Sequence, residues 1–523
     1  MATVIPQDPG ALHSVTESHG TFTESNNAGE ITADKVIENL GYHPELQRNR
    51  STAHVTFMAF ILAANPYGLA TTLNYPLTGG GPVNIIWGWL LVALLVVCVA
   101  ASLGEITSVY PTAGGVYYQT AMLTPPNYRS VASWICGWLY VVGNMSITLS
   151  VNFGTASFFA ACLNVFESEP GVGIFPSKPY QIFLLFAAIT LLCNMISSLG
   201  NRWLPWIDAA AVFWTFAGVF AITISILVVA KEGRHSASYV FGHFENDSGW
   251  PDVWSFCIGL MHAGYATSST GMILSMCEEV RQPTTQVPNA MVATACINTF
   301  AGLLFLIPLV FVLPDIPTLL ATSAGQPTPA IIKSAVGSSG GSLALLLPLV
   351  MLGIICGVGC TTASSRCTWA IARDGALPGS KWWSQIDTRL KIPLNAMMLL
   401  MVLELLLGLL YFGSNTAFSA FSGVGVICLT CSYATPVAIS LMTNRKHLQK
   451  AKFGLGRLGY VCNVLTMGWS ILAVPLFCMP SPLPVTAASV NYAPVVFIAA
   501  TVISVGWYFA WGRHHYTGPP ASG

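Results

Sequence analysis

Eight residues, Gly264-Tyr265-Ala266-Thr267-Ser268-Ser269-Thr270-Gly271, set four consecutive hydroxyl side chains between two glycines in the middle of an apolar run from about Val253 to Cys277. Lipid offers hydroxyls no water, and glycine weakens a helix by about 1 kcal/mol, so a helix broken at this depth suits these residues better than a continuous one. A second interruption, Asn65-Pro66-Tyr67-Gly68, lies in the first apolar run. There Pro66 removes a backbone donor and frees carbonyls and amides around Ala63 to Leu69. Two broken membrane helices are the usual mark of a transporter's substrate site, where irregular backbone lines a cavity. Ala64, Asn65, Tyr67 and Gly68 from the first break are candidate binding residues, with Gly264, Tyr265, Thr267, Ser268, Ser269 and Thr270 from the second. The two breaks are expected to face each other. A plain proline kink is the competing reading of the first break taken alone.

The third apolar run adds Trp134, Trp138, Tyr140, Asn144 and Asn152. Aromatic faces attract an ammonium group by roughly 0.5 to 2 kcal/mol. Trp134 suits the membrane interface at least as well, which leaves Tyr140 and Asn144 as the better cavity candidates. Ionisable groups at depth are few: Asp208, Glu404 and His262. Asp208 lies near Arg202 and reads as half of a structural ion pair. Glu404 sits among leucines without an evident partner and reads as protonated and structural. His262, just ahead of the second break, has an intrinsic pKa suited to proton coupling, against the commoner role of a neutral hydrogen-bonded histidine. Glu105 heads a loop rich in small residues (105–118) and is expected in an inner gate with an arginine such as Arg366 or Arg373. A satisfied carboxylate at a helix end is the alternative. The pair Glu278-Glu279 ends the sixth run, where it either meets basic loops or merely terminates the helix. No convergent acid pair or His-Glu-x-x-His pattern occurs at depth, which argues against a membrane-embedded enzyme.

The elements that must position these residues follow from composition. Of 523 residues, 54% are hydrophobic and 8% charged, against about 25% charged in a soluble domain. An all-α polytopic membrane protein results. Twelve apolar runs are each long enough to span the bilayer, near 53–76, 83–109, 131–163, 180–200, 205–230, 253–277, 288–313, 341–371, 394–413, 417–443, 460–480 and 490–512. Residues 1–50 read as a disordered tail with a short helix near Ala33 to Leu40, and 513–523 as a short second tail. Counting Lys and Arg on alternating sides puts 17 with the tails and 4 opposite, so both termini are expected in the cytoplasm. Asn246-Asp247-Ser248 then falls in an outward loop and matches a glycosylation acceptor. The broken runs are the first and the sixth. Five runs separate their starts, so the second half enters from the opposite face, as in an inverted repeat of five helices, 53–230 against 253–443. The last two runs, 460–512, are extra. Most of the fourteen cysteines fall in apolar runs and behave as small hydrophobes rather than as a disulfide framework.

Four stretches in order carry a resemblance. They are Gly79-Gly80-Gly81-Pro82, the run Ala101 to Gly115 (ASLGEITSVYPTAGG), Glu278-Glu279-Val280, and Ser365 to Pro378 (SRCTWAIARDGALP). Together they resemble the fungal amino acid/choline transporter family of the amino acid-polyamine-organocation superfamily, over about residues 40 to 513. The resemblance implies a LeuT-like core of ten helices plus two, and secondary active uptake of an amino acid, GABA, choline or a related amine, generally coupled to protons. It places the binding region on Ala64 to Leu69 and Gly264 to Gly271, where a helix end could meet a carboxylate and aromatic groups an amine. Members often carry an acidic residue and a histidine where this chain has Gly271-Met272-Ile273-Leu274-Ser275, which leans the expected solute away from choline and other pure cations, towards zwitterions or a less polar nitrogen compound. No cofactor, metal or nucleic acid is implied; the partners are the solute, protons and the bilayer, here expected to be the plasma membrane. Two other readings are a carrier for an intermediate or product of a specialised-metabolite pathway, and a nutrient sensor that does not transport.

Overall fold

A computed structural model describes residues 34–46, 48, 50–169, 172–230, 234–322, 325–413, 415–486 and 490–520. Its apolar runs fold as helices, as uninterrupted hydrophobic sequence requires in lipid, where each backbone group must be satisfied within its own segment. In chain order these are α1 (Thr52–Ala63), α2 (Asn65–Thr71), α3 (Trp89–Val109), α4 (Arg129–Leu163), α5 (Pro179–Leu199), α6 (Leu204–Val229) and α7 (Asp252–Thr267). They continue with α8 (Pro283–Phe311), α9 (Pro327–Val336), α10 (Ser339–Arg373), α11 (Leu394–Gly408), α12 (Asn415–Met442), α13 (Leu458–Leu476) and α14 (Ala493–Trp507). Among the described residues, 11 helical stretches are long and apolar enough to cross a membrane, so the chain is an all-α polytopic membrane protein. Segment 252–279 is not one of these: its α-helix of 16 residues passes directly into a 3-10 helix at Ser268–Glu279, and its hydroxyl run, His262 and the closing Glu278-Glu279 make it less apolar than the others. α3 packs along α8, and α4 packs against both α10 and α12.

The first break falls one residue earlier than the proline pattern suggests. Ala64 adopts the left-handed conformation (φ 42°, ψ 43°), which separates α1 from α2 and leaves Pro66 in the first turn of the second piece. There its missing N–H forfeits no helical hydrogen bond, so proline starts the new helix rather than kinking the old one.

Residues 34–46, 48 and 50, expected as part of a disordered tail, are docked on the bundle. Ile37, Leu40 and Tyr42 are buried, which gives this short stretch apolar contact to offset its ordering. The Tyr118 hydroxyl donates to the Leu40 carbonyl at 2.9 Å, and Arg48 Nη1 to the Val280 carbonyl at 2.8 Å. The first 33 residues of the expected tail lie outside the described residues. At the other terminus, Tyr516 donates to the Tyr117 hydroxyl at 2.8 Å, so both ends of the described chain meet one end of the bundle.

At the opposite end, the turn at Thr78-Gly79-Gly80-Gly81-Pro82 has one residue in the left-handed region, Gly81 (φ 59°). Gly79 is needed for a different reason: a Cβ there would lie 2.6 Å from the Ser255 carbonyl and 2.7 Å from the Gly259 nitrogen of α7. Both obstacles are backbone and cannot rotate away. Gly79→Val is therefore expected to destabilise the protein by about 1 to 3 kcal/mol, read as a lowered melting midpoint of purified protein in detergent. An unchanged midpoint would mean that the α7 backbone gives way.

Candidate functional site

The two breaks meet. Ser269 Oγ donates to the Leu62 carbonyl at 2.6 Å, one of the acceptors released where α1 ends. With the Asn65 amide nitrogen turned towards the carbonyls it faces, it donates to Ala266 at 2.8 Å and to Ala63 at 3.1 Å, bridging both breaks. Gly68 lies against α7, where a Cβ would come within 3.1 Å of the Ala266 side chain. A void of about 10 Å³ beside Asn65, Thr267, Thr270 and Asn298 is at the lower limit for one water molecule. In this conformation the junction is packed shut.

The second break takes a different form from the open gap that its hydroxyl run suggests. Thr267, Ser268 and Thr270 donate to the Ala263, Tyr265 and Thr267 carbonyls of their own segment at 2.8, 2.8 and 2.7 Å. Hydroxyls satisfied in this way sustain the tighter 3-10 winding. Of the four, Ser269 alone reaches across.

An open cavity of about 1030 Å³ occupies the end of the bundle away from the termini. Thr72 and Tyr75 beyond α2, Ser150 and Ser157 of α4, Tyr265 of α7 and Asn491 lie on its wall. Tyr265 donates to or accepts from Ser150 Oγ at 2.9 Å. Among the described lining residues the only charged ones are Glu167 and Lys333, and these form an ion pair with each other. A cavity of this size, lined by apolar and aromatic surface with a few hydroxyls and amides, is within the range of small-molecule sites.

Of the binding residues expected from sequence, Tyr265 alone lines this cavity. Ala64, Asn65, Gly68, Gly264, Thr267, Ser268, Ser269 and Thr270 belong to the packed junction or its flanks, with Gly264 facing the Phe477 and Trp469 rings. Tyr67 is buried against α4, its hydroxyl 2.8 Å from Thr155 Oγ1 and 3.1 Å from the Val151 carbonyl. The Tyr140 hydroxyl donates to the Gly271 carbonyl at 3.2 Å, which closes the inner side of the break. Asn144 donates to the Tyr140 carbonyl at 2.7 Å within its own helix. His262 stands one hydrogen bond behind the cavity wall, Nδ1 3.0 Å from Thr72 Oγ1. Asn246 is consumed in its turn: its amide nitrogen donates to the Trp250 carbonyl at 2.8 Å and to Asp252 Oδ1 at 2.9 Å, so a glycan there would have to break at least one of these bonds.

Where the termini lie, the bundle is closed by buried ion pairs, and the partners differ from those that the sequence suggests. Glu105 does not meet Arg366 or Arg373. It pairs with Arg445 beyond α12 and accepts from the Leu455 amide at 3.0 Å, because α3 ends beside the loop between α12 and α13. Arg366 pairs with Glu279 at 2.9 Å, and Arg373 with Glu278 at 3.1 Å. Asp208 pairs with Arg50 at 3.6 Å rather than with Arg202. Glu279 is shared, since Arg50 Nε also lies 3.2 Å from it, and the Glu278 carboxylate accepts from the Ala113 amide at 3.0 Å. Three arginines and three carboxylates thus lock the 3-10 end of the sixth segment to α6, α10 and the docked amino-terminal stretch. Sequence reasoning missed Arg50 because it sat in an expected tail, although it directly precedes Ser51, whose hydroxyl caps α1. Just past α10, burial pushes the Asp374 carboxyl up to about 6, while Arg373 and a 2.7 Å hydrogen bond from Tyr42 oppose the rise.

A helical membrane bundle with broken helices at mid-depth, a cavity open at one end and ion pairs shutting the other is built as a membrane carrier. The chain belongs to the amino acid permease family, whose profile matches residues 51–500. It is 28% identical over 503 residues to a choline transporter of Saccharomyces cerevisiae, covering 96% of this chain and 87% of that one. It is 29% identical to the amino-acid permease BAT1 of Arabidopsis thaliana, covering 92% of this chain and 95% of that protein. A polyamine transporter of Saccharomyces cerevisiae, TPO5, is 28% identical over 93% of this chain and 79% of its own length.

Proposed function

We propose that the chain is a secondary active transporter that moves a small amino-containing solute across a membrane by alternating access, with protons as the coupling ion. The observation that carries this reading is the asymmetry of the bundle: an open cavity reaches Tyr265 from one end while paired arginines and carboxylates close the other. Such a state accepts solute from one side, and breaking the ion pairs while closing the cavity would release it to the other. In this reading segment 252–279 also crosses, as the sixth of twelve, and the first ten crossings form an inverted repeat. The end carrying the termini is cytoplasmic, as the excess of Lys and Arg there supports.

The relatives are named for choline, amino acids and polyamines, which all present an amine. A zwitterion suits this cavity best, since its one carboxylate is already paired with Lys333 and none is left to neutralise a pure cation. Cells expressing the chain are expected to take up at least one member of a radiolabelled panel of amino acids, GABA, choline and polyamines, saturably and faster at acidic external pH. Absence of uptake from protein shown to be at the surface would overturn the uptake reading and favour export or sensing.

A further inference from the structure

Glu404 of α11 is 1% exposed in the interior of the bundle. No cation pairs with it among the described residues; its hydrogen bond is from Asn152 Nδ2 of α4, 3.5 Å from Glu404 Oε2. A carboxylate held at this depth by one long amide contact is costly. The surroundings are arranged to receive its proton. Asn152 Oδ1 is buried and without a hydrogen-bond partner, as are Thr190 Oγ1 and Asn194 Oδ1 on the neighbouring α5. Space for the Asn152 amide is kept by Gly357 of α10, where a Cβ would lie 2.4 Å from Asn152 Oδ1 and 2.9 Å from Cys193 Sγ. Turning that amide brings an acceptor to a protonated Glu404 and a donor to an ionised one.

The site also adjoins the cavity. Tyr411, in the 3-10 turn that follows α11, lines the cavity, as does Phe153, next to Asn152 in α4. Their rings pack edge to face with centroids 4.9 Å apart on the cavity wall. Of the elements packed on α11, α5 presents the Cys193 thiol, with Cys360 of α10 near it, and α4 the Asn152 amide; the short helix Ser380–Trp383 carries Lys381. No charged side chain faces Glu404 among the described residues.

We propose that Glu404 is the carboxyl that carries the coupled proton through the transport cycle. It rests on the proton-coupled reading above. Loading forms one O–H bond between Glu404 and a proton arriving from cavity water, and release at the other end breaks the same bond, leaving the carboxylate with the Asn152 amide as donor. The neutral form can then be buried while the bundle changes access.

The test uses full-length protein in liposomes with a solute from the panel that the wild type carries. Glu404→Gln, which mimics the protonated group, is expected to keep solute exchange within about threefold of wild type and to lose both stimulation by external acid and accumulation driven by a proton gradient. Should the glutamine variant fail to fold, Asn152→Leu provides a second reading: removal of the donor to the ionised carboxyl is expected to move the pH midpoint of transport upward by about one pH unit. A glutamine variant with wild-type acid stimulation, or a leucine variant with an unmoved midpoint, overturns the assignment of Glu404. Wild-type transport that ignores pH overturns the proton-coupled reading, and the assignment with it.

Discussion

Replacing Arg366 by methionine is expected to cost the bundle about 3 to 5 kcal/mol, because it strips a fully buried carboxylate of its nearest cation. Arg366 is 0% exposed and Glu279 3%, so water cannot take the place of the guanidinium. Arg50 remains 3.2 Å from Glu279 but is also committed to Asp208. The expected readout is a large fall in the melting midpoint of purified protein, or its loss from the detergent-soluble fraction. Adding Glu279→Gln to Arg366→Met should recover part of the loss, since the amide leaves no unpaired negative charge on that side chain. A double variant no better than the single one would mean that Arg366 acts through packing or through its contacts with Ser365 and Asn201, at 3.1 Å each, rather than through the ion pair.

Tyr265→Ala is expected to raise the half-saturation concentration for the transported solute about tenfold, which is about 1.4 kcal/mol of binding. The ring lines the cavity and its hydroxyl is held by Ser150, so the substitution removes an aromatic wall at the point where cavity and junction meet. Tyr67→Phe is the contrasting variant. Its hydroxyl bonds to α4 and faces no cavity, so the expected cost is about 1 kcal/mol of stability with an unchanged half-saturation concentration. Equal effects of both variants on affinity would mean that the junction opens and that both tyrosines touch solute.

The two tyrosines also illustrate how far the residues alone could be read. Both stand at helix breaks that Pro66 and the hydroxyl run announce, and the apolar runs match the observed helices to within a few residues at most ends. Which way each ring turns is a matter of tertiary packing. Gly353 of α10 makes room for Tyr67, since a Cβ there would lie 2.6 Å from its ring, and no local pattern relates those two positions. The same holds for the charges. Glu105, Arg366 and Arg373 were recognisable as gate material because charge is rare in this chain, but their partners depend on which helix ends lie side by side. Glu105 and Arg445 are 340 residues apart in sequence. The cavity was the least legible feature: one face of α4 lines it at helical spacing (Ser150, Phe153, Ser157, Ala160), but small and apolar residues at that spacing are equally what a packed helix face would show. Gln326 and Lys333 of the α9 stretch and Asn491 ahead of α14 meet on its wall from far apart in the chain and carry no motif.

Docking of residues 34–46, 48 and 50 has a mechanical consequence for the proposed cycle. Arg48 and Arg50 hold the same end of the sixth segment that Arg366 and Arg373 hold from α10, with Arg50 reaching Glu279 through both side chain and backbone. Opening at this end therefore requires the amino-terminal stretch to release together with the helical pairs.

The most direct test of the transport reading is reconstitution of purified protein into liposomes with an imposed proton gradient, followed by measurement of the radiolabelled panel inside. The expected result is accumulation of at least one amine-bearing solute above its external concentration while the gradient lasts, and equilibration when it is collapsed. Folded protein in sealed liposomes that accumulates and exchanges none of the panel under any gradient would contradict it.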